Sequence, residues 1–312
     1  MFGRDAVKRD ADAVRSALSG ISGILVTPFD AADRLAPARL RPVVERAIGA
    51  GVQVLVTNGN TSEFYALTTA EAEAMVHEAA EQVGGRVPLL AGVGRALPDA
   101  LALARASAAA GADALMVHQP PDPFVAPRGV VAYVERIAEA GGGLPVVLYL
   151  RNDTIGLDAI EALCRVPGVV GVKWASQTPL RLAEAMRRAP ASIEWVAGLA
   201  ETWAPPLYAV GARGFTSGLI NVWPEHSLAI HAALGRGDYA AAMVLIEAMA
   251  GFESLRAEEG NGTNVSVVKA ALALCGHDCG HARAPAAWPL SGAQQARLAA
   301  LLAGWKLVKR AA

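Results

Sequence analysis

Lys173 is the residue whose type and position most clearly indicate chemistry. It directly follows a short apolar run at residues 169–172 and is one of five lysines in the chain. A run of this kind predicts a β-strand that is buried on both faces. An ammonium group is costly to bury there unless it is neutral or paired, and a neutral lysine amine is the nucleophile that forms an imine with a ketone. The alternative is a lysine whose side chain extends from the strand end to solvent.

Two further groups would complement an imine-forming amine. Tyr149 lies in the apolar run at residues 145–150, and its phenol could transfer protons; a buried tyrosine with a satisfied hydroxyl is the alternative. Residues 59–63, Gly-Asn-Thr-Ser-Glu, offer hydroxyls and backbone N–H groups near a predicted helix start, where an anion can bind. A plain turn with a helix cap is the alternative for this segment. A carboxylate beside a ketone is a 2-oxo acid, which we therefore expect as the small-molecule substrate.

The predicted secondary structure brings these residues together. Between residues 21 and 236, apolar strands alternate with amphipathic helices in eight strand–helix units. Such alternation predicts parallel strands with right-handed crossovers, and eight units predict a (β/α)8 TIM barrel. An open doubly wound sheet is the alternative, but the glycine-rich phosphate fingerprint typical of it is missing. The predicted strands are residues 23–27, 52–56, 87–91, 114–117, 145–150, 169–173, 194–197 and 214–217.

Helical segments flank the predicted barrel on both sides. Residues 1–20 are predicted to form a leader segment with a helix at 5–19. Residues 237–312 are predicted to form a C-terminal helical region, because the strand pattern stops there. Its predicted helices are 238–258, 264–275 and 291–304, with a turn at 258–263.

The active site of a barrel of this kind lies at the C-terminal ends of its strands. We expect Lys173 and Tyr149 to be the catalytic residues at that rim. Arg151 could contact a distal carboxylate or hydroxyl groups of the substrate, or it could form a surface ion pair. The predicted substrate-binding residues are Asn60, Thr61, Ser62, Arg151, Gly198 and Ser217.

The composition excludes several other classes of protein. Hydrophobic residues make up 53% of the chain and charged residues 18%, which permits a large core. A net charge of -1 argues against a nucleic-acid partner, and no apolar run approaches the roughly 20 residues of a membrane span. The charged N-terminus and the three cysteines predict a cytoplasmic location.

The segment at residues 275–281, Cys-Gly-His-Asp-Cys-Gly-His, contains the residue types of a zinc site. Its spacing departs from the usual ligand pattern, so we expect no metal there. We expect no other cofactor, because the lysine imine itself would supply the chemistry. A metal-dependent barrel aldolase is an alternative, but the predicted rim lacks the clustered histidine and carboxylate ligands it would need.

In these motifs the chain resembles the dihydrodipicolinate synthase / N-acetylneuraminate lyase family of class I aldolases. The resemblance covers residues 20–290 and depends on the 59–63 loop, Tyr149, the strand-six segment Val172-Lys-Trp-Ala-Ser176 and the glycine-rich segment 214–221. It implies that Lys173 is the Schiff-base lysine and that the 59–63 loop holds the carboxylate of a pyruvoyl group. It also implies a homotetramer or homodimer.

Two departures from the family pattern bear on the substrate. Thr154 stands where dihydrodipicolinate synthase has an arginine for its second substrate, and a proline replaces a tyrosine in the loop after strand four. Tyr149-x-Arg151 and the leader helix are more similar to 5-dehydro-4-deoxyglucarate dehydratase, which also forms the imine but eliminates water and carbon dioxide. We expect an aldolase or dehydratase for a sugar-derived 2-oxo acid. The alternatives are a synthase-like condensation of pyruvate with an aldehyde, and an inactive barrel that binds 2-oxo acids.

Overall fold

The computed structural model describes residues 10–285 and 287–308. Eight parallel strands close into a barrel in chain order, and β1 pairs with both β2 and β8. The predicted (β/α)8 barrel is therefore confirmed. The strands are β1 (Ile21–Ile24), β2 (Val54–Thr57), β3 (Leu89–Val93), β4 (Ala114–His118), β5 (Val146–Leu150), β6 (Val169–Trp174), β7 (Glu194–Ala197) and β8 (Gly214–Ser217).

A helix follows each strand and packs against the outside of the barrel. In α3 the side chains of Thr68 and Glu71 cap each other's backbone N–H groups, and Gly84 ends the helix in the left-handed conformation. The eight outer helices are α2 (Arg41–Ala50), α3 (Thr69–Val83), α4 (Leu97–Ala110), α5 (Pro127–Ala140), α6 (Leu157–Cys164), α7 (Pro179–Arg188), α8 (Ala200–Ala209) and α9 (Pro224–Gly235).

A further helix, α1 (Ala11–Leu18), precedes the barrel. Val14 and Leu18 are buried and pack with Val54, Ala114 and Val170, which lie at the beginnings of their strands. The helix therefore covers the N-terminal end of the barrel, away from the predicted site. Residues 1–9 of the predicted leader segment lie outside the described residues.

Three helices form the C-terminal region: α10 (Tyr239–Asn261), α11 (Asn264–Leu274) and α12 (Gly292–Gly304). The backbone leaves the helical conformation at Glu258, Glu259 and Gly260, within the predicted turn. Helix α10 packs against α8, α9 and α11, which brings this region against the barrel. Residues 286 and 309–312 lie outside the described residues.

The first strand begins and ends earlier than the sequence predicts. The amide of Ile21 bonds to the side chain of Gln53 at 2.8 Å, which fixes the start of β1. Beyond Ile24, the amide of Val26 bonds to the Asn221 side chain at 3.2 Å instead of to a neighbouring strand. Side chains from elsewhere in the chain thus set these boundaries, and a local pattern does not reveal them. No helix among residues 10–285 and 287–308 is long and apolar enough to cross a membrane.

Candidate active site

Lys173 lies near the C-terminal end of β6, level with Tyr149 of the adjacent strand β5. Only 4% of the lysine is exposed, and its Nζ atom lies 3.8 Å from the centroid of the Tyr149 ring. No carboxylate of the described residues forms an ion pair with it. Burial lowers the pKa of Lys173 to about 7, with a further contribution from the charge of Arg151. A large fraction of this amine is therefore neutral at pH 7 and available as a nucleophile.

The phenol of Tyr149 is fixed by a neighbouring amide. Nδ2 of Asn60 donates a hydrogen bond of 2.8 Å to the tyrosine hydroxyl oxygen. Burial raises the pKa of Tyr149 to about 12, so the hydroxyl keeps its proton at neutral pH. Because the oxygen already accepts from Asn60, the O–H group remains available to donate to a ligand. Asn60 is thus the loop residue that meets the tyrosine.

The two hydroxyl side chains of the 59–63 loop have different roles, since Ser62 holds the loop together and Thr61 lines the cavity. The hydroxyl of Ser62 donates to the Leu25 carbonyl at 2.6 Å and accepts from the Gly59 amide at 3.0 Å, so it holds the loop and does not line the cavity. Asn60 and Thr61 do line it. Within the described part of the chain, the backbone N–H groups of these two residues have no acceptor. Two free N–H groups side by side can bind a carboxylate.

Glu63 anchors this loop to the C-terminal region. Its buried carboxylate forms an ion pair with Lys269 of α11, and its Oε2 atom accepts from the Arg283 amide at 2.6 Å. The Arg283 side chain in turn pairs with Asp33 and Glu71, each at 2.8 Å. The sequence analysis did not find this arrangement, because it joins residues more than 200 positions apart.

A cavity of about 440 Å³ opens at the C-terminal ends of the strands. It contains both predicted catalytic residues and most of the predicted substrate-binding residues. Those that line it are Asn60, Thr61, Tyr149, Arg151, Lys173 and Gly198. A second cavity, of about 520 Å³, lies beside Tyr65, Arg95 and Tyr133 and does not reach Lys173.

Of the two predicted substrate-binding residues Ser217 and Gly198, only Gly198 lines the cavity. The Ser217 hydroxyl points away from the cavity and donates to the buried Glu201 carboxyl at 2.6 Å, with Ser227 at 3.2 Å. Burial raises the pKa of Glu201. Gly198 lines the cavity where β7 passes close to β6, since a Cβ atom there would lie 2.7 Å from the Trp174 carbonyl oxygen. A larger residue at this position would push the two strands apart.

Arg151 turns inward along the rim and forms no ion pair within the described residues. Its Nη2 atom donates to the Tyr65 hydroxyl at 2.9 Å and to the Gln119 carbonyl at 3.1 Å. The Gln119 side chain supports it by accepting from the Arg151 and Asn152 amides, both at 2.8 Å. The guanidinium lies 5.6 Å from the centroid of the Tyr149 ring, and its charge helps to lower the pKa of Lys173.

The C-terminal region supplies cavity residues that the sequence analysis missed. Arg256 of α10 is only 6% exposed, and it lines the cavity together with Glu253 and Asn264. Thr216 of β8 also lines it. The sequence analysis did not assign Arg256, Glu253 or Asn264 to the site, because it predicted residues 237–312 only as a helical region outside the barrel.

The side chains of the segment 275–281 contact separate parts of the structure. Cys279 is buried with its Sγ atom 3.7 Å from the Arg39 carbonyl, and His281 contacts Asp33 at 3.2 Å. Among residues 10–285 and 287–308, no group of three or more histidine, cysteine or acidic side chains could hold a metal ion.

The chain belongs to the dihydrodipicolinate synthetase family, whose model matches residues 17–304. It is therefore a lyase with the fold of that family's Schiff-base enzymes, and the resemblance inferred from the motifs is confirmed. The chain is 35% identical to the probable 5-dehydro-4-deoxyglucarate dehydratase 2 of Streptomyces avermitilis, over 91% of this chain and 86% of that protein.

Solved structures agree with this assignment. A dihydrodipicolinate synthase from Bacillus clausii is 38% identical and superposes with a TM-score of 0.90, over 94% of this chain and 99% of that chain. The E. coli K12 prophage protein YagE, solved in complex with pyruvate, is 25% identical with a TM-score of 0.82, over 92% of this chain and 98% of its own.

Proposed function

We propose that this protein is a dehydratase that acts through an imine on Lys173, with 5-dehydro-4-deoxyglucarate as its substrate. The observation that carries the proposal is the buried, unpaired amine of Lys173 against the Tyr149 ring, in one cavity with the free N–H groups of the 59–63 loop. The substrate follows from relatives named as probable dehydratases of this compound, at 30% and 35% identity.

The first step is formation of the imine. The carboxylate next to the ketone binds the N–H groups of Asn60 and Thr61, which presents the ketone carbon to Lys173. The neutral amine attacks that carbon, and the ketone oxygen leaves as water. Because the pKa of Lys173 is lowered to about 7, the attacking form is populated at neutral pH.

The second step is elimination of water from the bound substrate. The protonated imine withdraws electrons from the adjacent carbon, which loses a proton. The electron pair left there forms a double bond to the next carbon, and the hydroxyl on that carbon departs. Tyr149 donates a proton to the departing hydroxyl, which leaves as water, and regains the proton that the adjacent carbon loses. With a pKa of about 12, the phenol is protonated before the reaction and has a proton to donate. The distal carboxylate then leaves as carbon dioxide, its electron pair passing through the conjugated double bond to the imine nitrogen. Protonation on carbon and hydrolysis of the imine by water release the product and restore the neutral amine of Lys173.

A synthase reaction is the second candidate, favoured by the 38% identity to the dihydrodipicolinate synthase from Bacillus clausii. That reaction needs a group for the carboxylate of the second substrate. Thr154 occupies the position of the family's arginine, and its hydroxyl donates to the Asn152 side chain at 2.7 Å. A threonine satisfied within its own turn offers no charge to a carboxylate, which supports the dehydratase.

The two reactions can be separated directly. The purified protein is incubated either with 5-dehydro-4-deoxyglucarate or with pyruvate and aspartate semialdehyde, and products are followed by mass spectrometry. We expect a product that has lost water and carbon dioxide from the first substrate, and no condensation in the second mixture. Condensation alone would support the synthase, and pyruvate binding without turnover of either mixture would support an inactive barrel.

We also propose that the protein works in the cytoplasm as a homotetramer or homodimer. The family resemblance supports this assembly. Light scattering on the purified protein gives the mass in solution, and a monomer at working concentration would overturn this part of the proposal.

A further inference from the structure

We propose that Arg256 binds the carboxylate next to the reacting ketone, together with the free backbone N–H groups of the 59–63 loop. This inference rests on the proposed function and deepens it, because it names a charged group that would select 2-oxo acids over other ketones. Arg256 belongs to α10 in the C-terminal region, so this group would come from outside the eight strands.

The guanidinium of Arg256 lies beside the loop that would hold the carboxylate. A Cβ atom added to Gly218, the residue after β8, would lie 2.6 Å from Nη2 of Arg256 and 3.3 Å from Oγ1 of Thr61. Arg256 and Thr61 both line the cavity that contains Lys173, although Arg256 is only 6% exposed. The space left by the missing side chain of Gly218 thus lets the guanidinium approach Thr61.

The hydrogen bonds of Arg256 fix its orientation and leave donors for a ligand. Nε and Nη2 donate to the Asn264 side chain at 3.1 and 2.8 Å, and Nη1 pairs with Glu253. A guanidinium has five N–H donors, so these contacts within the described residues leave one on each terminal nitrogen. A carboxylate oxygen can accept from such a donor and from a backbone N–H group at the same time.

A carboxylate in this cavity needs a positive partner that the loop does not supply. The two free N–H groups of the loop are neutral, and the attacking form of Lys173 is neutral as well, whereas an anion removed from water needs a charged partner. Two arginines of the described chain line the cavity. Arg151 is held over the ring of Tyr65, with its guanidinium 5.1 Å from the ring centroid. Arg256 is the one that lies beside Thr61.

Two ketones that differ in a single group test the assignment. Pyruvate carries a carboxylate next to its ketone, whereas pyruvamide carries a neutral amide there. In Arg256→Gln, the half-saturating concentration of pyruvate for trapping by cyanoborohydride should rise about 10- to 100-fold, as expected for losing a charge-assisted hydrogen bond. The preference for pyruvate over pyruvamide should fall about tenfold, because a neutral acceptor gains less from the guanidinium. Equal losses for both ketones, or no loss, would overturn the inference.

Gly218→Ala displaces the guanidinium without removing it. Gly218 has a φ angle of -90°, which alanine also adopts, so the added methyl group acts through the space that it takes from Nη2 of Arg256. The preference for pyruvate over pyruvamide should fall as it does in Arg256→Gln. Combining the two changes should cause little further loss, because glutamine is too short to meet the methyl group. Fully additive losses would show that Gly218 acts independently of Arg256 and would contradict the assignment.

Arg297→Gln is the matched control. Arg297 also lies in the C-terminal region and pairs with an acid, Glu258, but its side chain is 53% exposed and does not line the cavity. Its replacement should leave the trapping of both ketones unchanged. Arg256→Lys should retain part of the preference for pyruvate, because the charge remains but the planar fork is lost. If Arg297→Gln weakened pyruvate trapping as much as Arg256→Gln, the effect would not belong to the cavity and the inference would fail.

The same measurements separate this inference from the proposed function. Absence of any pyruvate adduct in the wild type would defeat the imine mechanism and the role of Arg256 with it. A wild-type adduct without turnover of 5-dehydro-4-deoxyglucarate would defeat the proposed dehydratase and leave the carboxylate site intact. Normal trapping and turnover in the wild type, with an unchanged preference for pyruvate in Arg256→Gln, would defeat only the role of Arg256.

Discussion

Lys173 of β6 and Lys269 of α11 are both buried, at 4% and 2% exposure, and each ammonium position lies over an aromatic ring. Their partners differ. Lys269 forms an ion pair with Glu63 and donates to the His281 carbonyl at 2.7 Å. Lys173 has no acidic partner among the described residues. Burial lowers the pKa of both, but at Lys269 the Glu63 carboxylate opposes that shift.

The difference shows how one residue type serves chemistry in one place and structure in another. An unpaired buried amine is readily deprotonated and becomes a nucleophile. A paired buried amine stays bound to its carboxylate, and here the Glu63–Lys269 pair holds the 59–63 loop against the C-terminal region. Lys173 is thus the proposed reacting group in the cavity, and Lys269 holds in place the 59–63 loop that lines it.

The largest expected effect is at the unpaired lysine. Lys173→Met should reduce kcat by on the order of 10⁴-fold or more, because no imine can form. The folded state should persist, since methionine fills the space without a charge to bury. Steady-state turnover of 5-dehydro-4-deoxyglucarate, with circular dichroism as the control for folding, measures this. Turnover within tenfold of the wild type would remove Lys173 from the mechanism.

At the paired lysine the expected effect is on stability. Lys269→Met leaves the Glu63 carboxylate buried and unpaired, which costs about 3–5 kcal/mol. Thermal unfolding should show a marked fall in midpoint, and the double variant Glu63→Gln/Lys269→Met should recover part of it. If Lys269→Met unfolds at the wild-type temperature, the pair does not support the loop as described.

Removal of the Tyr149 hydroxyl should have a smaller effect on catalysis than loss of Lys173. Tyr149→Phe should lower kcat by about 100-fold, the usual contribution of a proton-transferring group. Pyruvate should still be trapped on Lys173 by borohydride in this variant. If the variant lost both pyruvate trapping and turnover, the tyrosine would act in imine formation instead of elimination.

The smallest expected effect is a shift in pH dependence. Below about pH 7 the trapping rate of the wild type should fall as the Lys173 amine takes up a proton, and above it the rate should level off. Burial is the main cause of the lowered pKa and Arg151 the second. Arg151→Gln should therefore raise the pKa and move the midpoint to higher pH, by less than about one unit. A midpoint that stays in place or moves to lower pH would show that Arg151 does not act on the amine.

Much of the fold and of the candidate site could be predicted because both depend on local patterns. Eight alternating units define the barrel, and Lys173 and Tyr149 follow from their places at strand ends. Ser217 was placed on the correct strand but assigned to the wrong face. It shares the outward side of β8 with Phe215, whereas Thr216 faces the cavity. Alternation along the strand puts Ser217 on the same side as Phe215.

The contributions of the C-terminal region could not be predicted in the same way. The Glu63–Lys269 pair and the approach of Arg256 to Gly218 join residues that are far apart in the sequence. No periodicity links such residues, because their contact depends on how α10 and α11 pack against the finished barrel. Ser62 illustrates the same limit, because its hydroxyl donates a hydrogen bond to the backbone carbonyl of Leu25, which directly follows β1.

Peptide mapping after borohydride reduction with pyruvate tests the central claim most directly. Among residues 10–285 and 287–308 two lysines are buried, in opposite surroundings, and the proposed imine forms on Lys173 alone. Mass spectrometry should find the reduced pyruvate adduct on the peptide containing Lys173 and none on the peptide containing Lys269. An adduct on another lysine, or no adduct at all, would contradict the account.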